Sequence, residues 1–516
     1  MGDARSAGIV PADIDWVRIR ASVRAERSAE DCYAPHLDAI LLGAFDAVRA
    51  QVEQIGDRPL SAPLLFAMPK PAHDGQTAAD GSDRAARGDR RKAILFPVET
   101  ILYHLLAAAA APLIEPTIDR RRVFSAWPAT NPDHGLLAPW SEVHVHRVAV
   151  SRSALSDPRW RTVVRLDVRD FSASIDRAAI RANFAALGLA PAWMAVADRL
   201  MAAFGETLGP RGLPQTPIGT YLLGTAALRG FDAWCADAGV SSIRVMDNIT
   251  LLATDPDAAR RLAERATARL GADGFVVNDA KTEIIDAATA LARLDARDEV
   301  LSSRRVAAPD TLSLARALVR DFDDLGSRRH QLAEIALVAL GRARDPAGVA
   351  LVVERFVDSP TQARTFAHYL ALFVGDPAVR TAFERRLLDG IETLHDWQWQ
   401  WAMAVLAAAP AISSTMARLV RRTVEAPVSP VLRSAAVAVW SRFAPAPARA
   451  ELDALAAGTD QPYLRAAIAH GCRWRPAAEA RARLAAWSSD PLVALVAAAI
   501  APDSAGAATA DSTNGP

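Results

Sequence analysis

Cysteine is scarce in this chain of 516 residues, and its placement excludes two kinds of small scaffold. The three cysteines, Cys32, Cys235 and Cys472, lie far apart and show no Cys-x-x-Cys spacing. We therefore expect neither a disulfide framework nor a structural zinc cluster, and we predict a reducing, cytoplasmic location.

An excess of one charge is also missing. The chain has 59 Lys and Arg residues against 59 Asp and Glu residues, so the formal net charge is zero. This balance excludes a strongly basic protein that covers a long duplex by overall charge. Any nucleic-acid binding therefore requires a local patch.

Long apolar runs are absent as well. The longest run, residues 101–114, contains His104 and Pro112. It is shorter than the roughly 18 to 20 residues that a membrane span needs. The first ten residues are polar and acidic, so we expect no secretory signal and no membrane partner.

The apolar content that is present changes its pattern along the chain. Hydrophobic residues make up 51% of the sequence, and the length allows about three domains. Short β-branched runs alternate with helical patterns over residues 91–300, and VVRLDV and SIRVMDNITLLA are the clearest strands. From about residue 310 the pattern is almost entirely helical. LRSAAVA at 432–438 recurs as LRAAIA at 464–469, which predicts stacked helix pairs.

Two carboxylates stand at apolar strands. Asp167 ends the first strand, and Asp247 lies between two apolar runs near a predicted hairpin turn. A charge in such a place is costly unless it is paired or lies at an open site. Two such carboxylates can converge on divalent cations that stabilise an in-line phosphoryl displacement. The alternative is that each one caps a turn or pairs with an arginine.

Six short segments follow one another between residues 68 and 286. They read MPKP at 68–71, RKAILFPVE at 91–99, DVRDFSASID at 167–176, RGLPQTPIGTYLL at 211–223, VMDN at 245–248 and GFVVNDAKTE at 274–283. In this order they resemble two finger segments and motifs A, B, C and D of reverse transcriptases. Any one segment alone is weakly specific, whereas the ordered series is specific.

The chain resembles bacterial reverse transcriptases, and among them the abortive-infection and defence-associated group. The resemblance implies an α+β right-hand polymerase with palm and fingers, followed by an all-α, HEAT-like repeat domain. We place an N-terminal helical segment at 1–60, fingers and palm at 61–305, helical repeats at 306–500 and a disordered tail at 501–516.

The resemblance also implies a cofactor and roles for individual residues. Mg²⁺, or Mn²⁺ in its place, is held by Asp167, the backbone carbonyl of Val168 and Asp247. The implied catalytic residues are Asp167, Asp247, Asn248 and Lys281, of which Lys281 supports the metal hairpin or protonates pyrophosphate. The implied substrate-binding residues are Lys70, Arg91 and Lys92 at the triphosphate, Val168 and Ser172 at the nucleotide, and Gly212, Pro214 and Gln215 beneath the primer end. Solvated basic turns remain the alternative for the finger residues, and a surface position for Lys281.

Three positions depart from the family pattern. Asn248 replaces the second aspartate of motif C, so the metals keep fewer protein charges. Ser172 replaces an aromatic residue that blocks the 2′-hydroxyl, which puts sugar discrimination in doubt. Thr216 replaces a glycine of motif B and narrows the room for backbone approach.

A tryptophan cluster in the helical part has two interpretations. Trp397, Trp399 and Trp401 form WQWQW on a predicted helix. They could stack bases of a single strand beside a basic groove, or they could form a helix–helix core. The groove would be lined by Arg385, Arg386, Arg418, Arg421 and Arg422.

Two functions remain open. The first is a metal-dependent DNA polymerase in antiphage defence that acts on dNTPs, either RNA-directed or template-independent. The second is a catalytically silent fold that serves as a nucleic-acid-binding or assembly subunit. The expected partners are an RNA template or DNA product and a second copy or a partner reverse transcriptase. Protein priming is a further option. It would use a hydroxyl of the tail (Ser504, Thr509, Ser512, Thr513) or a tyrosine (Tyr33, Tyr103, Tyr221, Tyr369, Tyr463).

Overall fold

The computed structural model describes residues 14–70, 89–303, 309–322 and 329–500. The chain is mostly helical, with two small sheets. The Gly, Asp and Pro content of residues 71–90 predicts an exposed loop. Residues 71–88 of it lie outside the described residues, and Asp89 and Arg90 belong to a strand instead. The predicted tail at 501–516 also lies outside the described residues.

The strands are β1 (Leu64–Pro69), β2 (Asp89–Ile94), β3 (Thr162–Asp167), β4 (Ser242–Val245), β5 (Asn248–Ala253) and β6 (Glu283–Asp286). The first helices are α1 (Trp16–Ser28), α2 (Pro35–Asp38), α3 (Phe45–Glu53), α4 (Pro97–Ile114), α5 (Trp140–Leu155), α6 (Phe171–Ser174), α7 (Arg177–Ala186), α8 (Pro191–Leu208), α9 (Pro217–Ala227), α10 (Arg229–Asp237), α11 (Pro256–Ala272) and α12 (Ala287–Ser303). The later helices are α13 (Pro309–Arg320), α14 (Arg329–Arg342), α15 (Val349–Arg355), α16 (Ala363–Ala371), α17 (Pro377–Gly390), α18 (Asp396–Ala408), α19 (Ser414–Glu425), α20 (Pro430–Phe443), α21 (Ala446–Gly458), α22 (Pro462–Gly471), α23 (Ala477–Ala486) and α24 (Pro491–Ile500).

The chain divides into two compact units whose segments interleave. Unit 1 contains residues 1–29, 48–63 and 93–299, and unit 2 contains residues 30–47, 64–92 and 300–516. The N-terminal residues, which the sequence suggests are one helical segment, are therefore shared between both units. The boundaries at 60 and 305 stay predictions.

Unit 1 is built on a four-stranded antiparallel sheet in the order β4-β5-β3-β6. Its central strand β3 is buried at every position except Arg165, because α11 packs on β3, β5 and β6. Val163, Leu252 and Ala287 form one apolar cluster of this unit. The α+β class predicted for this part is thus compatible with the structure, and the palm and fingers remain a proposal.

Helix α4 is the central helix of unit 1 and contacts α1, α8 and α9. Together with the turn that follows it, over residues 97–117, it is long and apolar enough to cross a membrane by length and composition, with a mean hydropathy of 1.4. Two-thirds of that window is buried inside the protein, as in the core helix of a soluble protein. The apolar run read from the sequence is thus part of a longer helix, and the cytoplasmic location stays a prediction.

Unit 2 is a stack of helices. The even-numbered helices α14, α16, α18, α20, α22 and α24 pack in succession, and the odd-numbered helices flank this row. The two copies of the sequence echo lie on α20 and α22, which pack directly on each other. Segment 30–47 joins this unit, where α2 contacts α22.

The tryptophans of α18 belong to the core of unit 2. Trp397, Trp399 and Trp401 are all buried. The indole N–H groups of Trp397 and Trp401 donate to the carbonyl of Asp31, at 2.7 and 3.2 Å. The base-stacking interpretation of WQWQW is therefore wrong, and the helix–helix core interpretation holds.

The predicted basic groove is weakened in the same way. Arg386 pairs with Asp358, and Arg421 pairs with both Glu425 and Glu451. These acidic partners neutralise the two arginines, so the five residues do not form a uniformly cationic surface.

Candidate functional site

The residues that could hold a metal meet at one edge of the unit 1 sheet. Strand β3 ends at Asp167, whose partner across the antiparallel pair is Asn248 at the start of β5. Cα atoms of such partners lie about 4.5 to 5.5 Å apart. The backbone N–H of Val168 donates to the carbonyl of Asp247 at 3.3 Å. The backbone that follows Asp167 therefore lies directly beside Asp247.

The turn that carries Asp247 is tight. It consists of Met246 and Asp247 between β4 and β5, and Met246 has a left-handed φ of 53°. Few non-glycine residues adopt this conformation, which is frequent in two-residue hairpin turns. The sequence predicted a turn at Asp247 and Asn248, and the structure places it one residue earlier.

Asp167 is held by residues of motif D. Its side chain is almost fully buried, with the whole residue 7% exposed. The Lys281 ammonium lies 3.2 Å from the carboxylate, and the Asn278 amide donates to it at 3.3 Å. The backbone N–H of Asn278 also donates to the Asp167 carbonyl at 2.8 Å. Lys281 therefore faces the candidate site rather than solvent alone, and Asn278 is a contact that sequence reasoning missed.

Asn248 turns its amide toward Asp247. The amide nitrogen donates to the Asp247 carboxylate at 3.2 Å. A half-turn of the same amide would present its oxygen to a cation instead. Asn248, where the resemblance predicts an aspartate, thus lies directly beside the candidate metal ligand.

Arg244 of β4 forms a hydrogen bond to the turn and was not singled out from the sequence. It is 1% exposed and forms an ion pair with Asp232 of α10, in which the Nε–Oδ1 distance is 2.7 Å. Its Nη1 donates to the carbonyl of Met246 at 3.0 Å, immediately before Asp247. The sequence did contain one signal, an arginine within the predicted strand SIRV. A charge buried in a strand requires a partner.

The motif B turn is fastened to motif A. The N–H groups of Gly212 and Leu213 donate to the carbonyls of Ile175 and Ser172, both at 2.8 Å. Gly212 has a φ of +97°, and an added Cβ would lie 3.1 Å from the Ala173 carbonyl oxygen. This position therefore requires glycine.

Arg177 is a second residue that sequence reasoning missed. Its guanidinium donates to the carbonyls of Gly209, Arg211 and Gly212, and so spans the turn. Ser172 and Gln215 are half-buried, whereas Pro214 is buried and its carbonyl accepts from the Thr220 hydroxyl.

Thr216 occupies interior space at the start of α9. It is buried, and its N–H donates to the Thr220 hydroxyl at 3.1 Å. Its own hydroxyl oxygen meets no hydrogen-bond partner within the described part of the chain. The side chain of Thr216, at a position where the resemblance predicts glycine, is thus accommodated inside unit 1.

Helix α9 connects the motifs. An added Cβ at Gly224 would lie 2.9 Å from Phe171 of motif A and 3.0 Å from Met246 of motif C. Phe171 also contacts Phe275 of motif D, with ring centroids 5.6 Å apart. Motifs A and C therefore pack on α9, and motif D packs on motif A.

The N-terminus of α9 is capped by a buried carboxylate. Glu26 accepts from the Ile218 N–H at 3.2 Å and lies 3.5 Å from His104. Burial raises the pKa of Glu26, but His104 and the Ile218 N–H favour its charged form more strongly and hold the pKa below its ordinary value.

The residues predicted to belong to the fingers lie in unit 2. Lys70 follows β1, and Arg91 and Lys92 lie on β2, which pairs with β1. Lys92 already has a carboxylate partner, since its Nζ is 2.6 Å from Asp31. Arg91 is exposed and Lys70 is half-buried. A role for these three residues at a triphosphate stays a prediction.

The donor set defines which ion would fit. Within the described ranges, no cluster of three or more His, Cys, Asp or Glu residues can hold a metal. Asp167, Asp247 and the Asn248 amide do not make an all-protein cage. Mg²⁺, however, is usually bound by one or two carboxylates together with substrate phosphates. The pair therefore fits Mg²⁺ that is completed by a triphosphate.

Comparisons with known proteins give no independent assignment. No protein-family model matches the chain, and a search of curated proteins found no match.

Proposed function

We propose that this chain is a reverse-transcriptase-like DNA polymerase that transfers nucleotides at Asp167 and Asp247. The observation that carries the proposal is the strand register, which pairs Asp167 with Asn248 and sets Val168 against Asp247. It is supported by the hydrogen bonds and ring contacts that fasten motifs B and D to motif A. The resemblance in sequence supplies the reaction.

In this proposal each residue has a definite task. Asp167, Asp247 and the Val168 carbonyl would hold Mg²⁺, which when bound would offset charge on the attacking and leaving oxygens of the phosphoryl transfer. Lys281 positions the Asp167 carboxylate and holds a proton at Nζ for the departing pyrophosphate. The turn at 209–216 holds Gly212, Pro214 and Gln215 where the primer end would lie.

A second candidate is favoured by one observation. Both carboxylates already accept hydrogen bonds from donors of the chain itself, Asp167 from Lys281 and Asn278, and Asp247 from Asn248. Carboxylates that already have donors of the chain as partners are also what a silent fold would retain. The alternative function is therefore a nucleic-acid-binding or assembly subunit of a defence complex.

The biological setting rests on the resemblance alone. It suggests antiphage defence, with an RNA template or with untemplated synthesis. For protein priming, Tyr103, Tyr369 and Tyr463 are buried, whereas Tyr221 on α9 is 45% exposed. Tyr221 is therefore the better candidate of these four, and mass spectrometry of nuclease-treated protein would reveal a nucleotide adduct on it.

The test is incorporation of labelled dNTPs by the full chain with Mg²⁺ or Mn²⁺. Asp167→Ala and Asp247→Ala should each abolish incorporation and leave the circular dichroism spectrum unchanged. Asp198→Ala is the matched control, because this carboxylate lies on α8 and pairs with Arg181 at the surface. Wild-type incorporation in either site variant would refute the assignment. Inactive wild-type protein that still binds nucleic acid would favour the silent alternative.

A further inference from the structure

Two arginine guanidinium groups lie over the ring of an exposed tryptophan in unit 2. Trp474 follows α22 and is 40% exposed. The guanidinium carbons of Arg442 and Arg473 lie 5.0 and 4.9 Å from the centroid of its ring. We call these three residues the Trp474 cluster.

The two arginines differ from their neighbours in having no acidic partner. Arg465 pairs with Asp490, and Arg475 pairs with Asp453, both at less than 3 Å. Among the residues that the structure describes, neither Arg442 nor Arg473 forms an ion pair with a carboxylate. Two cations are therefore held together without a carboxylate partner from the described part of the chain.

Neutral acceptors fix the position of both guanidinium groups. Arg473 donates from Nη1 to the imidazole Nε2 of His470 at 2.8 Å, and Arg442 donates to the carbonyl of Ala407. Each guanidinium has five N–H donors in one plane, so most of them remain for a ligand. Burial is the largest influence on the pKa of Arg473 and lowers it; Tyr33 raises this pKa, and the charge of Arg442 lowers it.

We propose that the Trp474 cluster is a binding site for a nucleotide unit, with its phosphate on Arg442 and Arg473 and its base on the adjacent ring surface. Arginine binds phosphate bidentately, and bases stack on aromatic rings and on guanidinium planes. An acidic peptide would satisfy the charge but would leave the exposed indole uncovered. The site does not depend on the polymerase reaction.

The test is a fluorescence anisotropy titration of the full chain with a labelled oligothymidylate at several salt concentrations. The double variant Arg442→Ala/Arg473→Ala should raise Kd by about tenfold or more. The slope of log affinity against log salt should shrink by about 0.7, because the two arginines share one phosphate and each phosphate neutralised on a single strand contributes about 0.7. Trp474→Ala should raise Kd by about five- to a hundredfold through lost stacking.

Three controls separate the proposal from its alternatives. Arg481→Ala removes an exposed arginine of α23 and should change neither affinity nor slope. Arg442→Lys/Arg473→Lys keeps the charges without the planar groups and should lie between wild type and the double alanine variant. Asp167→Ala should bind as wild type does at this site, so a failed polymerase proposal would leave this result intact.

The outcomes are distinct. Displacement of the oligonucleotide by dTTP at this site would identify a free nucleotide as the ligand, and no displacement would identify a strand. A double alanine variant with the affinity and salt slope of Arg481→Ala would overturn the proposal. If the double alanine variant lost binding to polyglutamate but kept its binding to the oligonucleotide, the proposal would also be wrong, and the ligand would be an acidic peptide.

Discussion

Single buried charges determine the geometry of the candidate site. Arg244 is enclosed in unit 1, pairs with Asp232 and donates to the carbonyl that precedes Asp247. Removing one partner of a buried pair leaves an uncompensated charge, whereas replacing both with apolar residues is often neutral for stability.

We therefore expect Arg244→Met to lower the free energy of unfolding by about 3 to 5 kcal/mol. The double variant Arg244→Met/Asp232→Leu should recover most of this loss in urea titrations. Incorporation of dNTPs should stay low in both variants, because the turn has lost the donor to Met246. Full activity in the stable double variant would show that Arg244 serves folding alone.

Asn248 is the residue at which metal affinity should respond most simply. Asn248→Asp adds a carboxylate beside Asp247 and should lower the Mg²⁺ concentration for half-maximal incorporation. A magnesium titration of both proteins measures this change. An unchanged or higher concentration would mean that position 248 does not face the ions.

At the scale of elements, the motif B turn depends on one glycine. Gly212→Ala combines a positive φ with a close approach to Ala173. It should cost about 1 to 3 kcal/mol and reduce incorporation, because the turn is hydrogen-bonded to motif A. Gly188→Ala is the matched control, since Gly188 has a φ of +79° but no atom within 4 Å of an added Cβ. Equal incorporation by the two variants would show that the geometry of the motif B turn does not affect the reaction.

The elements that the sequence predicted well are those with local signals. Strand β3 and the β4–β5 hairpin follow from β-branched runs, and Asp167 stands out as a charge at an apolar strand end. The ion pair between Arg244 and Asp232 was not predicted, because nothing local joins a strand residue to a particular helix residue. The spacing of the tryptophans of α18 is the same whether they form a helix–helix core or a platform on which bases stack. Their burial, together with the hydrogen bonds of Trp397 and Trp401 to Asp31, distinguishes the two.

For the whole molecule, interleaving of the units limits truncation. Residues 30–47 belong to unit 2, where Leu37, Ile40 and Leu41 are buried. A fragment that ends near residue 305 would expose these side chains and should be insoluble or unfolded. Expression followed by circular dichroism tests this expectation. A soluble, cooperatively folding fragment would contradict the assignment of 30–47 to unit 2.

The stability of the whole chain should fall in mild acid through His470. Burial, Arg473 and His36 lower the pKa of His470 well below its ordinary value. The unfolded chain binds a proton below about pH 6.5 that the folded chain refuses, so stability is full above that pH and is lost as the pH falls. The slope for one proton is about 1.4 kcal/mol per pH unit. In urea titrations between pH 7 and 5, His470→Asn should reduce the slope by the share of one proton. His368, whose pKa burial also lowers, to about 4, keeps its own share. An unchanged slope would exclude a contribution from His470.

The most direct test of the account is whether Asp167 and Asp247 form one site for a metal and a nucleotide. Electron paramagnetic resonance can measure Mn²⁺ binding to the full chain with and without a dNTP. We predict that the dNTP strengthens Mn²⁺ binding to the wild type, and that Asp167→Asn and Asp247→Asn each abolish the effect. Either variant binding Mn²⁺ and dNTP as the wild type does would contradict a shared site.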